Sequence, residues 1–123
     1  ARLLHLEADN VQADRLSAAR QLAEKYNCQG VLKGAGSVVF DQHTAELAIC
    51  AHGNPGMASA GMGDVLSGVL GAMLGYSAGP FTPSKALHAG VALHSAAADH
   101  AALELGQRSL QATDVIASLP ALL

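Results

Sequence analysis

The segment Gly53–Gly68 reads GNPGMASAGMGDVLSG; it carries five glycines, one proline and one acidic residue, and it continues into an apolar helical pattern. Glycine allows positive φ and a close approach of the backbone to a ligand, and the first turn of a helix offers unpaired N–H groups at the positive end of its dipole. The pattern indicates an anion-binding turn, for which phosphate is the natural ligand. Asp64 would repel phosphate, so its position favours proton transfer at the group that reacts at phosphorus. The alternative is that Asp64 only caps the helix.

Asn54, Pro55 and Gly56 stand near the start of this segment. An asparagine side chain can hydrogen-bond to its own backbone, while proline and glycine shape a tight turn. The triplet predicts a rigid loop suited to facing a nucleotide, and a plain connecting turn is the alternative.

The rest of the chain alternates between helical and strand patterns. Apolar residues recur with helical spacing near both ends, and three short apolar runs lie between them. The predicted fold class is α/β, with one helix, then three strands, then three helices. The predicted helices are Asp9–Tyr26, Gly63–Tyr76, Thr82–Leu105 and one from Thr113 or Asp114 to about Pro120; the predicted strands are Val31–Gly34, Ser37–Phe40 and Ala45–Cys50, with a hairpin turn over residues 41–44.

Capping residues support two of these boundaries. Asp9 or Asn10 can cap the first helix, and Thr82 followed by Pro83 is a favourable start for the longest one. The helix over Gly63–Tyr76 is apolar almost all round, which predicts that it is buried. Its glycines are expected to form close-packing surfaces, namely Gly68, Gly71 and Gly75.

Composition limits the class of protein. The chain of 123 residues is long enough for one domain, and its net charge of -3, with seven Lys and Arg and no basic run, gives no electrostatic footprint for nucleic acid. Cys28 and Cys50 are too few for a disulfide scaffold and too far apart for a metal or redox motif. We therefore expect a cytoplasmic protein without a nucleic-acid partner. No apolar run has the length that a bilayer requires, so we expect no membrane partner either.

The chain begins with ARLLHLEADN, without methionine. A strand such as Val31–Leu32 that follows a helix is typical of a parallel α/β sheet with neighbours on both sides, and the sequence contains no such neighbours. Either the three strands pack alone against four helices, or the rest of the sheet comes from another chain or from a sequence not included, and the start of the chain favours the last two. We expect residues 1–123 to be a single partial domain without its amino-terminal half, or a chain that completes its sheet in a homo-oligomer.

Lys33 follows the first short strand and opens a second glycine-containing segment, LKGAGSVV. Open α/β sheets bind ligands at the carboxyl ends of their strands, so Lys33 is predicted to contact phosphate. The alternative is a solvated lysine in a hairpin.

Together these segments resemble a known family. VLKGAGSVVF, GNPGMASAGMGDVLSG, ALHAGVALHSAAADHAA and TDVIASLPALL look like the carboxyl-terminal half of the ADP- or ATP-dependent NAD(P)H-hydrate dehydratases, which have a ribokinase-like fold. The resemblance covers nearly the whole chain in order, and GNPGMASAGMGD is its most specific part. The family's HPGE segment, which supplies a substrate-contacting histidine, is missing from this chain.

The resemblance implies a role for each matching position. Family members use ADP or ATP to remove water that has added across a ring double bond of NADH or NADPH. Asp64 matches the acid that faces the hydrated nicotinamide, so it would be the catalytic base and a substrate-binding residue. Mg²⁺ would bridge the phosphates, although no carboxylate cluster indicates a metal site. The implied nucleotide-binding residues are Lys33, Gly34, Ala35, Gly36 and Ser37 in one loop, and Gly53, Asn54, Gly56, Gly61, Met62 and Gly63 in the other.

Two other functions stay open. A ribokinase-like small-molecule kinase would use the same glycine-rich turn and base, but it would leave a stable phosphorylated product. A noncatalytic fragment or assembly module would show no stabilisation by nucleotide.

The remaining polar residues of the helical half are interpreted as structural. His88, His94 and His100 are spaced six residues apart, which turns each by about 240° from the last on a helix, so they cannot form one metal-binding face. We interpret His94 as a packed or capping histidine and Asp99 as a residue of the helix surface. Asp114 is interpreted as part of a helix start.

Overall fold

The computed structural model describes all of residues 1–123. The chain consists of two compact units, Ala1–Ile49 and Cys50–Leu123, and each unit has its own core. The predicted order of helical region, three strands and three helices is confirmed. In chain order the elements are α1 (Ala8–Ala13), α2 (Arg15–Tyr26), β1 (Gln29–Leu32), β2 (Val38–Asp41), β3 (Glu46–Ile49), α3 (Met62–Gly75), α4 (Pro83–Leu105) and α5 (Ala112–Ser118), with short 3-10 turns at Arg2–Leu4, Pro55–Met57 and Leu119–Ala121.

The helical region at the start is two helices, so the prediction of one continuous helix over Asp9–Tyr26 was wrong. Asp14 leaves the helical conformation, with φ -142° and ψ 81°, and its carboxylate accepts a hydrogen bond from the N–H of Ser17 at 2.9 Å. An aspartate that bonds a nearby backbone N–H offers the chain an alternative to helical bonding. Asp14 therefore separates α1 from α2 and caps α2, and Arg15 becomes the first residue of α2.

The three strands form one antiparallel sheet in the order β1-β2-β3, within two residues of their predicted bounds. Asp41, predicted to open the hairpin turn, lies in β2 instead, where it is buried and its carboxylate accepts the N–H of His43 at 2.8 Å. Helix α2 packs on the sheet because both contribute small or apolar side chains to one core. The buried members are Ala19, Ala23, Val38 and Phe40, and Leu32 and Leu47 pack against them.

Helix α4 is the centre of the second unit, and α3 and α5 both pack against it. The hydroxyl of Thr82 accepts the N–H of Lys85 at 3.3 Å and Pro83 occupies the first turn, which confirms the predicted start. The buried core around α4 is rich in small residues and comprises Met62, Ala97, Ala98, Ala101, Leu110 and Val115. None of the helices has the length and hydropathy needed to cross a membrane.

Helix α3 is less buried than its composition predicts. Leu74 is 39% exposed, and Tyr76, just after the helix, is 80% exposed. A Cβ added at Gly68, Gly71 or Gly75 would meet no atom within 4 Å. These glycines therefore do not form the close-packing surfaces that the sequence predicted.

Candidate functional site

Asp99 holds the start of the glycine-rich loop Gly53–Gly63. Gly53 has a φ of 110°, and its backbone N–H donates to Asp99 Oδ2 at 2.8 Å. Asn54 Nδ2 donates to Asp99 Oδ1 at 2.9 Å. The carboxylate thus accepts hydrogen bonds from the loop with both oxygens, and the interpretation of Asp99 as a helix-surface residue was wrong. Because the preceding residues of α4, Ala97 and Ala98, are fully buried, this anchor lies on a well-packed part of the helix.

The side-chain amide of Asn54 is fully used within the protein. Its Nδ2 also donates to the carbonyl oxygen of Ala98 at 3.2 Å, and its Oδ1 accepts from the N–H of Gly56 at 3.0 Å. An asparagine amide has two N–H donors and one oxygen, and here each has a partner. Aspartate at this position would set a carboxylate oxygen against two acceptors, so the geometry requires asparagine. The predicted bond between Asn54 and its own loop is confirmed.

The backbone N–H groups of the Gly53–Gly63 loop divide into a bonded and a free set. In the first half, Pro55 has no N–H and that of Asn54 is unpaired. The N–H groups with partners are those of Gly53, Gly56, Met57 and Ala58. In the second half, the N–H groups of Ser59–Gly63 donate to no acceptor within the chain. Successive free N–H groups in a turn form a site for an anion, so the loop's capacity for phosphate lies in its second half.

Asp64 lies directly after this run of free N–H groups. Gly61, with a φ of 84°, is the last residue before α3, and its carbonyl oxygen accepts the N–H of Asp64 at 3.0 Å. The side chain of Asp64 is exposed, and no side-chain bond caps α3. Asp64 therefore does not cap α3 through a side-chain hydrogen bond. A free carboxylate at this position can accept a proton from a hydroxyl group that is brought to it.

Arg15 holds the second predicted segment, the Lys33–Ser37 loop. Its Nη1 donates to the carbonyl oxygen of Ala35, and its Nη2 donates to that of Leu32 at 3.1 Å. The hydroxyl of Ser37 donates to the carbonyl oxygen of Gly34 at 3.3 Å. Carbonyl oxygens of this loop are therefore bonded to donors, whereas the N–H groups of residues 34–36 donate to no acceptor. This distribution of dipoles favours an anion.

Lys33 adds a cation to the same loop. It follows β1 directly and its side chain is exposed. No hydrogen bond of the chain involves its Nζ, unlike that of Lys25, which donates to the carbonyl oxygen of Leu3 at 2.6 Å. The ammonium group is thus available to a ligand.

A cleft of ≈ 450 Å³ borders the Gly53–Gly63 loop. Arg108 is the one charged residue that lines it, and the hydroxyl of Ser59 is buried there without a partner. The other lining residues are Pro55, Gly56, Ala58, Gln107 and Leu110. This side of the loop therefore offers space and a positive charge for a polar ligand.

The structure groups the predicted site residues by unit. Gly61, Met62, Gly63 and Asp64 are adjacent at the start of α3 in the second unit, whereas the Lys33–Ser37 loop belongs to the first. Sequence reasoning missed both anchors, Arg15 and Asp99. Each is distant in sequence from the loop that it holds, by 20 and 46 residues. The available signal for Asp99 was its position as a lone acid within an alanine-rich stretch, AAADHAA.

The histidines and acids of the second unit form no metal centre. His94 is 4% exposed, which confirms that it is a packed residue, and His100 Nδ1 lies 3.5 Å from the hydroxyl of Ser118. Asp114 accepts the N–H of Gln111 at 2.8 Å, which confirms its role in a helix start. No group of three or more His, Cys, Asp or Glu side chains could hold a metal ion.

Comparison with known proteins supplies a family for this arrangement. A family model described as NAD(P)H-hydrate dehydratase matches residues 1–121. The bifunctional NAD(P)H-hydrate repair enzyme Nnr of Vibrio cholerae is 48% identical over 123 residues, which are 100% of this chain and 24% of that protein. The Escherichia coli enzyme of the same name is 46% identical over 119 residues, which are 97% of this chain and 22% of that protein. The chain thus spans about a quarter of the length of these relatives.

A solved structure extends the similarity to the fold. The ADP/ATP-dependent NAD(P)H-hydrate dehydratase from Bacillus subtilis, co-crystallised with ATP and Mg²⁺, superposes with a TM-score of 0.83 at 27% identity. The match covers 92% of this chain and 39% of that chain. This likeness confirms the predicted fold class.

Proposed function

The chain belongs to the NAD(P)H-hydrate dehydratase family, and on that premise we propose that it forms part of an enzyme that dehydrates hydrated NADH or NADPH with consumption of ADP or ATP. Water added across a ring double bond leaves a hydroxyl group on the nicotinamide ring. Hydroxide is a poor leaving group and phosphate is a good one, so phosphoryl transfer from the nucleotide makes the removal of water feasible.

One observation carries the proposal. The free N–H groups of Ser59–Gly63 directly precede Asp64, whose carboxylate is exposed. Those of Gly61, Met62 and Gly63 would stabilise the charge that develops on the transferred phosphoryl group. Asp64 would accept the proton of the ring hydroxyl as its oxygen attacks phosphorus. This assigns binding to the loop and proton transfer to the first turn of α3.

The proposed reaction proceeds in two steps. In the first, the ring oxygen forms a bond to the terminal phosphorus, the bond from that phosphorus to the rest of the nucleotide breaks, and the hydroxyl proton passes to Asp64. In the second, the carbon–oxygen bond breaks and phosphate leaves with the electron pair. A proton lost from the adjacent ring carbon restores the double bond. The products are NADH or NADPH, inorganic phosphate and the shortened nucleotide.

The Lys33–Ser37 loop is proposed as a second contact for the nucleotide. Within it, the carbonyl oxygen of Ala35 is bonded to Arg15 and that of Gly34 to Ser37, whereas the N–H groups of residues 34–36 and the ammonium of Lys33 donate to no acceptor. A loop with this distribution of charge attracts phosphate oxygens. The nucleotide-binding residues proposed in this loop are Lys33, Gly34, Ala35, Gly36 and Ser37.

Three further residues predicted to bind the nucleotide have few free donors. Gly53, Asn54 and Gly56 are retained as part of the nucleotide-binding loop, but their side-chain and N–H donors, apart from the N–H of Asn54, are bonded within the protein. Their proposed contribution is the shape of the loop.

The side chains of this chain form no site for Mg²⁺, because they contain no cluster of metal-ligating groups. Mg²⁺ commonly binds through substrate phosphates with only one or two carboxylates. We therefore treat it as part of the Mg²⁺–nucleotide substrate and assign no residue to it.

Residues 1–123 span about a quarter of the length of the relatives. We propose that residues 1–123 form part of a single ribokinase-like domain whose remaining part completes the substrate site. The ligands proposed are a nucleotide and hydrated NADH or NADPH. Both cysteines, Cys28 and Cys50, are free thiols, which supports a reducing compartment such as the cytoplasm.

The test is to incubate the protein at its natural length with hydrated NADH or NADPH and with ADP or ATP. The expected result is recovery of NADH or NADPH with one phosphate released per molecule. A stable phosphorylated product in place of the recovered dinucleotide would identify a small-molecule kinase instead. The absence of both products, together with no thermal stabilisation by either nucleotide, would identify a noncatalytic assembly module.

A further inference from the structure

We propose that Asp99 is a positioning residue that sets where phosphate binds along the Gly53–Gly63 loop. Asp99 would not touch the nucleotide; it would act through Gly53 and Asn54. The inference rests on the proposed function, since it concerns the nucleotide site of that reaction.

The carboxylate of Asp99 imposes two constraints on the loop. Asp99 Oδ2 accepts the N–H of Gly53 at 2.8 Å, and Oδ1 accepts Nδ2 of Asn54 at 2.9 Å. Hydrogen bonds to an ionised group are about twice as strong as those between neutral groups. Two consecutive residues are thus fixed to one side chain of α4, and the loop leaves the helix in a defined direction.

The constraint extends further along the chain. Asn54 passes it on, because its Oδ1 accepts the N–H of Gly56 and its backbone carbonyl accepts that of Met57. A Cβ added at Gly56 would overlap the carbonyl oxygen of Gln107, so this part of the loop is also held by close packing. The free N–H groups of Ser59–Gly63 therefore begin only after a held segment.

Asp99 also decides where donors remain available. It places a negative charge at the start of the loop and occupies the N–H of Gly53 and the amide of Asn54. The negative charge at the start of the loop is therefore not offset by a run of free donors, whereas the free N–H groups of residues 59–63 lie beside Asp64. Asp99 thus favours binding of the phosphoryl group at the end of the loop that carries the proposed base.

The first experiment measures the affinity for ADP and for ATP by titration calorimetry in the protein at its natural length. Asp99→Ala removes both acceptors, and we expect binding to weaken by about a hundredfold, which is twice the logarithmic loss expected for one charged hydrogen bond. Asp99→Asn keeps one acceptor but sets an NH₂ group against a donor, so we expect about a tenfold loss. Glu104→Gln is the matched control, since Glu104 is an exposed acid of α4 whose side chain makes no hydrogen bond within the chain, and this variant should bind nucleotide as tightly as the wild type.

The second experiment exchanges the two side chains. In the double variant Asp99→Asn with Asn54→Asp, the amide at position 99 can donate to the carboxylate at position 54 and accept from the N–H of Gly53. The carboxylate at position 54 also faces the carbonyl oxygen of Ala98, so we expect only part of the logarithmic loss of affinity caused by Asp99→Asn to be recovered. If Asp99→Ala does not fold, Asp99→Asn provides the test.

A positioning role and a purely structural role predict different kinetics. Positioning predicts a higher KM for the nucleotide with an unchanged KM for the hydrated dinucleotide, measured at a temperature where all variants are folded. A purely structural role predicts a lower melting temperature with both KM values unchanged. Affinity within twofold of the wild type in Asp99→Asn would overturn the proposal.

The proposal and the proposed function can fail separately. Calorimetry reports nucleotide binding whether or not hydrated NADH is the substrate. If the wild type binds ATP but recovers no NADH, the proposed dehydratase function is wrong. The effect of Asp99→Asn on ATP affinity then still tests the role of Asp99. A wild type that recovers NADH, with Asp99→Asn indistinguishable from it, would reject only the role of Asp99.

Discussion

The two glycine-containing loops are held by side chains of opposite charge. The Lys33–Ser37 loop is held by Arg15, which donates to the carbonyl oxygen of Ala35 within the loop and to that of Leu32 directly before it. The Gly53–Gly63 loop is held by Asp99, which accepts one backbone N–H and one side-chain amide. A cationic anchor occupies carbonyl groups and leaves N–H groups for a ligand, whereas an anionic anchor consumes donors where it binds.

This difference explains how the free N–H groups are distributed in each loop. In the Lys33–Ser37 loop they lie among the anchored residues themselves, because Arg15 uses none of them. In the Gly53–Gly63 loop the free run begins at Ser59, after the residues that Asp99 and Asn54 hold. The sign of an anchor thus indicates which part of a loop can bind phosphate.

The largest effect should come from a residue that neither anchor touches. Asp64→Asn removes the proposed base and leaves both loops bonded as before, so we expect kcat to fall by about 10²- to 10⁴-fold. ATP should bind at least as tightly as in the wild type, because a negative charge beside its phosphates is removed. Steady-state kinetics and calorimetry on the same preparation test this separation of chemistry from binding. A parallel loss of affinity and kcat would show that Asp64 belongs to the binding part of the loop.

The next largest effect tests how rigidly each loop is held. Gly56→Ala places a Cβ against the backbone oxygen of Gln107, which cannot move independently, so we expect the free energy of unfolding to fall by about 3 kcal/mol. Gly34→Ala brings its Cβ to 2.9 Å from Arg15 Nη2, the end of a flexible side chain, at a φ of 147°. Here backbone strain dominates and we expect about 1–2 kcal/mol. Urea unfolding measures the free energy of unfolding of both variants. Equal losses would contradict the prediction that the Gly53–Gly63 loop is held more rigidly.

The sequence was sufficient for the order of the elements because their signals are local. Thr82 and Pro83 mark the start of α4, and the apolar period reveals α3 within one residue at each end. The break at Asp14 was missed because its cause is one side-chain bond to the N–H of Ser17. A periodic pattern of apolar residues contains no record of such a bond.

The site was predictable only where its parts are adjacent in the chain. Gly61, Met62, Gly63 and Asp64 form one continuous motif, so their grouping followed from the sequence. The bond between Asp99 and Gly53 spans 46 residues, and no local spacing predicts it. Helix packing was also not predictable from local spacing. The glycines of α3 were expected to pack closely, but the tightly packed glycine is Gly90 of α4, where an added Cβ would lie 2.8 Å from Leu70.

A smaller effect concerns the geometry of the cationic anchor. Arg15→Lys keeps the positive charge but replaces a planar fork with a point charge, which cannot bond two carbonyl oxygens in the same way. We expect affinity for ATP to fall by about tenfold, as the loss of one charged hydrogen bond implies. Arg2→Lys is the control, because Arg2 is exposed and lies outside both loops. Unchanged affinity in Arg15→Lys would mean that Arg15 acts by charge alone.

The smallest effect, and the most specific to the opposite charges of the anchors, is the response to salt. Electrostatic interactions at exposed sites extend about 30 Å at 0.01 M ionic strength and about 3 Å at 1 M. Arg15→Gln removes an attraction for phosphate as well as two hydrogen bonds, so its loss of affinity relative to the wild type should be greatest at low salt. Asp99→Asn removes a repulsion, which offsets part of its loss at low salt.

The two variants should therefore show opposite trends as salt is added. The affinity ratio of wild type to Arg15→Gln should decrease by a few-fold between these limits, and the ratio of wild type to Asp99→Asn should increase, because salt screens the long-range interaction and leaves the hydrogen-bond loss. Each ratio cancels the general weakening of nucleotide binding by salt. Ratios that change in the same direction would mean that the anchors influence phosphate only through the shapes of their loops.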